Sequence, residues 1–429
     1  MTGGGSVKKD KFVVMGGKEL SGTIKVSGSK NAVLPIMAAS LLSSKEVILH
    51  DVPDISDVQE MLKMLEILGA NLKREGKVHI IDTSNVQPQE LSETLVRKIR
   101  ASSLFMGPML GKFGSIRVAY PGGCNIGSRP IDLHLKGFEK LNAIIKEKHG
   151  FIEANGSNLK GESIYLDFPS VGATQNLMMA ACLIPGETII KNCAREPEVV
   201  DLQNFLNFMG AKIRGAGTDT IKITGVKKLG SVEHYLIPDR IEAGTHMIAA
   251  AATGGDVVIE NVIAEHLVPL TSKLRDAGCQ IDEGDYQIRV RGNKELKPLD
   301  IRTLPYPGFP TDLQPQMMVL LMLGQGTSVI VENIFENRFK HVDEFRRLGA
   351  EIKVEGRIAI VKGVKKLTGA FVEATDLRAA GALVLAGLVS EEATVIENIH
   401  YLDRGYENFE RKYNDLGAKI IRVNNSLSS

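Results

Sequence analysis

The sequence predicts an α/β protein of two lobes, each a ring of three repeated units with apolar helices inside and sheets outside. Three observations predict it. First, one pattern occurs six times: an amphipathic helix, then Leu-Gly-Ala or a variant, then an extended run. Its glycine, or a substitute, falls at Gly69, Asn142, Gly210, Gly278, Gly349 and Gly417, at intervals of 73, 68, 68, 71 and 68 residues. Second, another set of helices, beginning near Asn31, Ser102, Gln175, Thr245, Pro315 and Ala380, is apolar nearly all round and rich in Ala, Gly and Met. A helix without a polar face is buried. Third, β-branched runs such as Thr188-Ile189-Ile190 and Ser328-Val329-Ile330-Val331 lie between the two helix types and read as strands. Six buried helices are too many for one compact core, so they divide into two groups of three. An open solenoid is disfavoured by the small number of units and the lack of distinct capping units.

The elements follow in order. Met1 to Asp10 is glycine-rich, then basic, without an apolar h-region, and reads as a loose tail. An extended segment, Lys11 to Val26, precedes the first unit. The helix Met61–Leu68 shows how a surface helix is built: apolar and charged positions alternate at helical spacing, Gly69 supplies a left-handed C-cap, and Asn71-Leu72-Lys73 continues extended. The buried helices, such as Gln175–Leu183 and Ala380–Leu388, use small residues that allow close packing.

Composition narrows the function. The chain has 429 residues and a net charge of +1, from 52 basic and 51 acidic residues. That balance argues against a nucleic-acid protein. No apolar run is long enough to propose a membrane span, and the cytoplasm is the default compartment. The four cysteines, Cys124, Cys182, Cys193 and Cys279, form no CxxC and no Cys/His cluster, so no metal site is expected. Cys182 and Cys279 read as packed thiols. There is no GxxxxGK[ST], and no GxGxxG after a strand, so neither a P-loop nor a dinucleotide fold is indicated.

The informative residues gather at two places in the unit. One is the approach to each buried helix: Lys30-Asn31, Arg97 and Arg100, Ser170-Val171-Gly172, Asp239-Arg240, Thr311-Asp312, and Thr375-Asp376-Leu377-Arg378. A helix N-terminus attracts anions, and a cation there strengthens the effect. The other is the loop before each surface helix, which carries Cys124 with Arg129, then Arg195, Arg338 and Arg404. Facing lobes would bring many of these cations into one cleft, which fits a phosphate or carboxylate ligand. The segment from Pro121 to His134 sets Cys124 among glycines, five residues before Arg129. A mobile thiol near a fixed positive charge suits covalent or acid–base chemistry on an anion. The bland alternative for Asp312 is a plain N-cap, a role Thr311 could take instead; Asp376 and Arg378 read equally as a structural ion pair, Arg195 as a structural salt-bridge residue, and His134 as a packing residue.

Pro121-Gly122-Gly123-Cys124 with Gly127-Ser128-Arg129-Pro130-Ile131-Asp132 resembles the catalytic loop of the UDP-N-acetylglucosamine 1-carboxyvinyltransferases, enolpyruvyl transferases that open peptidoglycan synthesis. The likeness runs from about Phe12 to Val423. It includes Ser29-Lys30-Asn31-Ala32, Arg97–Ser102, Ser170–Thr174, Pro238–Glu242, Gly308–Asp312, Phe335–Arg338, Ala374–Arg378 and Asp403–Tyr406. It implies a two-lobed inside-out α/β barrel. Residues 1–29 and 239–429 would form the C-terminal lobe and 30–238 the N-terminal lobe, with the active site in the cleft between them.

The resemblance implies transfer of the enolpyruvyl group of phosphoenolpyruvate to the 3′-hydroxyl of UDP-N-acetylglucosamine, without metal or cofactor. Cys124 would be the general acid and covalent adduct site, and Asp312 the general base. Lys30, Arg129 and Arg404 would hold phosphoenolpyruvate. Asn31, Arg100, Pro130, Ile131, Asp132, Leu133, Ser170, Val171, Gly172 and Ile334 would contact the nucleotide sugar. Arg338, Asp376 and Arg378 would support the site or its closure. Ser56 departs from the lysine, and Tyr306 from the histidine, found in parts of the family. Retention of Cys124 implies alkylation by fosfomycin. The shikimate 3-phosphate transferases share the architecture but lack the Pro-Gly-Gly-Cys loop. The alternative from another class is a silent, UDP-sugar-binding regulatory paralogue.

Overall fold

The computed structural model describes residues 10–87, 93–96, 100–120 and 131–424. The expected catalytic loop, with Cys124, Arg129 and Pro130, lies outside the described residues. So do Arg97 and the side chain of Arg100.

Among the described residues six separate sheets form, five of four strands and one of three. A unit supplies its own sheet most plainly in the order Lys212–Arg214, Thr220–Thr224, Glu187–Lys191, Ser163–Tyr165. There the first two pairings are antiparallel and the last is parallel. The parallel pair needs a crossover, and the buried helix Val171–Ala181 provides it. The strands carry one buried face, as in the alternating pattern of Val78–Asp82.

Each surface helix ends as its spacing predicts. Gly69, Asn142, Gly210, Gly278, Gly349 and Gly417 all have positive φ, between 74° and 106°. At five of the six glycine meets that requirement without a Cβ penalty; Asn142 is the tolerated exception.

The apolar residues separate into two cores. One contains buried side chains from Ala32 to Leu236. The other combines Phe12, Val14, Leu20, Ile24 and Val26 with residues from Ile241 to Ile420. Buried helices contribute to each core: every residue of Gln314–Met322 is buried in one, and every residue of Val171–Ala181 after Gly172 in the other. Among the described residues no helix is long and apolar enough to cross a membrane.

Two segments connect the cores, and they exchange strands. Ser21–Lys25 runs parallel to Asp256–Glu260, whereas Val232–Tyr235 runs parallel to Glu46–His50. Lys11–Met15 joins the sheet of the last unit, antiparallel to both Lys419–Val423 and Thr394–Glu397. The connecting segments lie side by side where they cross. Ser29 donates its N–H to the Ile237 carbonyl at 2.8 Å, and Asp239 donates to the Ser27 carbonyl at 2.9 Å. Immediately after this crossing each strand enters a buried helix, Lys30–Ala39 in one lobe and Arg240–Thr253 in the other. Both helix N-termini therefore open at the junction of the lobes.

Candidate active site

Lys30 is the first residue of its helix and is buried. Its ammonium lies 2.7 Å from Asp57 Oδ2. Asp57, in the first turn of the helix Ser56–Ile67, is itself 3% exposed. From the other lobe, Arg404 donates Nε–H to Asp57 Oδ1 at 2.9 Å and Nη2–H to Oδ2 at 3.3 Å. Burial pushes the Lys30 ammonium below its ordinary range; Asp57 opposes that, while Arg378 and Arg404 add to it. Burial alone would raise the Asp57 carboxyl, but Lys30 and Arg404 hold it below the usual carboxylate range. Gly405 packs closely here: a Cβ on it would meet the Leu377 side chain at 2.7 Å and the Lys30 stem at 3.2 Å.

A second ionic group adjoins the first. Asp312 lies in the short turn Thr311–Leu313, ahead of the helix Gln314–Met322. Arg378 donates to Asp312 Oδ2 from Nε at 3.2 Å and from Nη2 at 2.9 Å. Arg338, 1% exposed, reaches Asp312 Oδ1 at 3.5 Å and the Thr311 carbonyl at 3.1 Å from Nη2, and has Nη1 3.8 Å from Asp376. Burial disfavours the Arg378 charge, but Asp312, Tyr406 and Asp239 outweigh it and keep the guanidinium protonated.

Two alternative readings from the sequence fall away here. Asp312 does not cap a helix: the turn begins after Pro310 with no side-chain cap, and the Thr311 hydroxyl donates instead to Glu332 at 3.0 Å. Asp376 and Arg378 are not an ion pair. Asp376 is the N-cap of Leu377–Val389 and accepts the main-chain N–H groups of Arg378 and Ala379, while the Arg378 side chain turns to Asp312. An N-cap faces back over its own helix, so a side chain two residues on is free to point elsewhere.

Most of the remaining expected residues spread along the N-terminal lobe. Ser170 caps Val171–Ala181, its hydroxyl accepting from Ala173 at 3.3 Å. Gly172 is close to His134; a Cβ there would sit 3.2 Å from the ring. His134 is buried and contacts Asn176 Nδ2 through Nδ1 at 2.9 Å. Ile131 is buried at the entry to Asp132–Lys140, where Asp132 is exposed and Leu133 half-buried. Asn31 is half-buried beside Lys30. Ile334 donates its N–H to Glu332 at 2.8 Å. Arg195 lies away from these groups, 3.8 Å from Asp219 with both side chains exposed. Ser56 is exposed, and the Tyr306 ring receives the guanidinium of Arg240 at 5.5 Å.

The sequence reading missed the carboxylates that organise the junction. Asp57 reads as an ordinary acid in a first turn, and only the fold puts two cations on it. Glu198 holds Arg240 across the lobes through two bonds, at 3.0 and 3.3 Å. Glu242 accepts the Ser27 N–H at 2.9 Å and pairs with Lys412. Glu407 binds Lys77 at 2.6 Å and the Asp54 N–H at 3.1 Å. The signal available in sequence was the density of acids near the arginine loops, but acids partner cations on any surface.

Two lobes of three units joined at an ionic cleft define the enolpyruvyl transferase fold. The sequence model for EPSP synthase (3-phosphoshikimate 1-carboxyvinyltransferase) matches residues 14–413. The chain superposes on the enolpyruvyl transferase NikO from Streptomyces tendae with a TM-score of 0.88, at 25% identity over 97% of this chain and 99% of that one. An EPSP synthase from Acinetobacter baumannii gives a TM-score of 0.74 at 17% identity, over 97% of this chain and all of that one, and so shares the fold.

Among curated proteins, UDP-N-acetylglucosamine 1-carboxyvinyltransferase 1 of Carboxydothermus hydrogenoformans is 57% identical over 97% of this chain and 99% of its own. The protein of that name from Caldanaerobacter subterraneus subsp. tengcongensis is 57% identical over 96% of this chain and 100% of its own. The chain belongs to the UDP-N-acetylglucosamine 1-carboxyvinyltransferase family.

Proposed function

We infer that this protein transfers the enolpyruvyl group of phosphoenolpyruvate to the 3′-hydroxyl of UDP-N-acetylglucosamine, releasing phosphate, the step that opens peptidoglycan synthesis. The observation that carries this reading is the convergence of Lys30 from one lobe with Arg404, Arg378 and Arg338 from the other, around Asp57 and Asp312. Phosphoenolpyruvate carries a phosphate and a carboxylate, and ammonium and guanidinium groups suit both.

Protonation of the methylene carbon makes C2 electrophilic, and the sugar hydroxyl then adds to C2. Loss of a proton from the new methyl group, with departure of phosphate, leaves the enol ether. In this reading Cys124 donates the first proton, and its thiol can also add to C2. A donor acid must remain largely protonated at working pH, so that thiol cannot be strongly acidic. Asp312 accepts the proton of the sugar hydroxyl. Its position supports the role: it is held by Arg378 and Arg338, yet its side chain remains 25% exposed. Lys30, Arg129 and Arg404 bind phosphoenolpyruvate. Asn31, Arg100, the segment Pro130–Leu133, Ser170–Gly172 and Ile334 contact the nucleotide sugar. Asp376 and Arg338 support Asp312.

The lobes in this reading are residues 30–238 and residues 1–29 with 239–429, and the cleft closes on substrate. Three described cysteines are free thiols, in keeping with a reducing cytoplasm. The test is phosphate release from phosphoenolpyruvate with and without UDP-N-acetylglucosamine. Release that depends on the nucleotide sugar is the expected result. No release under either condition would sink the reading in favour of a silent, UDP-sugar-binding protein.

A further inference from the structure

Lys30 and Arg404 come from different lobes, yet both rest on one carboxylate. Asp57 Oδ2 is shared, 2.7 Å from the Lys30 ammonium and 3.3 Å from Arg404 Nη2, while Oδ1 takes Arg404 Nε–H at 2.9 Å. The arrangement has the shape of an anion held between two cations. Burying an ammonium in the company of guanidiniums is costly unless an anion sits beside it. Among the described residues, the groups facing Lys30 are few. Asp57 comes from the helix Ser56–Ile67, Arg404 from the turn Ile399–Arg404, and Arg378 from the helix Leu377–Val389. Asp239 is engaged with the Lys30 main-chain N–H at 2.9 Å. Among the described residues Asp57 is thus the acid that contacts the ammonium, against two nearby guanidiniums.

We propose that Asp57 is a positioning residue for phosphoenolpyruvate: it keeps Lys30 protonated and sets Lys30 and Arg404 at a common spacing across the lobe junction. The proposal rests on the transferase reading, because it assigns the substrate anion to these two cations. Asp57 touches no reacting atom in this scheme; it acts through the two side chains it holds. Its charge and its position have separable effects. The charge offsets the desolvation of the ammonium, and the short side chain fixes where the ammonium and the guanidinium meet.

Two variants separate them. In Asp57→Asn the amide keeps the shape and loses the charge. Trace acetylation of Lys30, read by peptide mass across a pH series, follows its protonation directly in the substrate-free protein. The expected result is a Lys30 titration moved to lower pH by about one unit or more, the usual scale for loss of an adjacent opposite charge. Asp57→Glu keeps the charge and displaces it, so Lys30 should titrate as in the parent protein. In both variants kcat/KM for phosphoenolpyruvate should fall by roughly tenfold or more, the cost of misplacing a binding group. The KM for UDP-N-acetylglucosamine should change less than about twofold.

An unmoved Lys30 titration in Asp57→Asn would overturn the proposal, as would a lowered melting temperature with unchanged phosphoenolpyruvate kinetics. Glu198→Gln, which breaks a different ion pair between the lobes, serves as the comparison; an equal Lys30 shift there would also overturn it. A parent protein that releases no phosphate refutes the transferase reading instead, and the acetylation series still decides whether Asp57 holds the Lys30 charge.

Discussion

The carboxylate of Asp239 accepts the main-chain N–H of Lys30 at 2.9 Å, although the two residues are 209 positions apart. Its other oxygen accepts from Ile241 and Glu242 at 2.8 and 2.9 Å and so caps its own helix. One side chain thus begins two buried helices, one in each lobe. It sits where the connecting segments cross, bridged between Gly28 and Pro238. The Lys30 ammonium is therefore registered against the opposite lobe through its own backbone.

Asp239→Ala should remove both the cap and the partner of a buried N–H. A lost cap costs about 1 kcal/mol, and an orphaned buried donor about 1–3 kcal/mol. Urea unfolding should show a loss of about 2–4 kcal/mol, with Asp239→Asn losing less because one oxygen remains. Equal stability of Asp239→Ala and the parent would remove the shared cap from the account of the fold.

The helices Met106–Phe113 and Val171–Ala181 touch backbone to backbone at two glycines. A Cβ on Gly107 would lie 2.3 Å from the Asn176 carbonyl oxygen, and one on Gly111 2.6 Å from that of Ala180. Main chain cannot yield as a side-chain tip can. Gly107→Ala and Gly111→Ala should each destabilise by on the order of 1–3 kcal/mol, the range for overpacking. Thermal melting of the two variants checks this, and an unchanged midpoint in both would count against so close a contact.

How much of this could be read from the chain differs by element. The six C-caps were legible because a left-handed residue demands glycine or asparagine, a strictly local requirement. The buried helices were legible because they lack a polar face. The ion pairs were not. Arg378 lies two residues from Asp376 and 66 from Asp312, and the fold pairs it with the distant one. Asp57 and Arg404 are 347 residues apart. Such partners are selected by how the lobes dock, and local spacing carries no trace of that.

His79 is 4% exposed in the strand Val78–Asp82, and neither ring nitrogen has a hydrogen-bond partner among the described residues. Burial, with Arg74 nearby, lowers its pKa from 6.5 to about 4. Between those values the unfolded chain holds a proton that the folded chain refuses, so stability falls as pH drops from 6.5 toward 4. Buried His341, lowered to about 4 by its burial, adds a slope of the same sign. His79→Leu should remove up to about 1.4 kcal/mol per pH unit from the dependence in this window. Urea midpoints at several pH values measure it, and an unaltered slope would contradict a neutral His79.

Glu242 governs a more acidic window. Burial would raise its carboxyl, but Lys412 and His246 outweigh burial and bring it from 4.5 to about 2. A depressed carboxylate contributes stability that is present above the unfolded value and lost as pH falls through the folded one. The contact with Ser27 ties that loss to the crossing segment. Glu242→Gln should be less stable at pH 7 and should lose less between pH 4.5 and 2 than the parent does. Parallel curves for the two proteins would show that Glu242 does not drive acid unfolding.

Thiol chemistry should single out Cys124. Cys182, Cys193 and Cys279 are all buried, at 0%, 1% and 5% exposure. Burial pushes the Cys182 thiol up to about 12 and that of Cys193 to about 11, and raises Cys279 as well. The thiolate is the nucleophile, so these three are slow toward electrophiles while the protein stays folded. Cys124 stands in a glycine-rich segment, five residues before Arg129 in sequence, with no apolar sequence context to argue against reaction. Fosfomycin with UDP-N-acetylglucosamine should therefore add one adduct mass per chain, on the peptide containing Cys124, and Cys124→Ser should stay unmodified. In denaturant a general alkylating agent should reach all four cysteines. An adduct on Cys193 or Cys279 in the folded protein would show that those sites open, and an unmodified Cys124 would remove the covalent step from the proposed reaction.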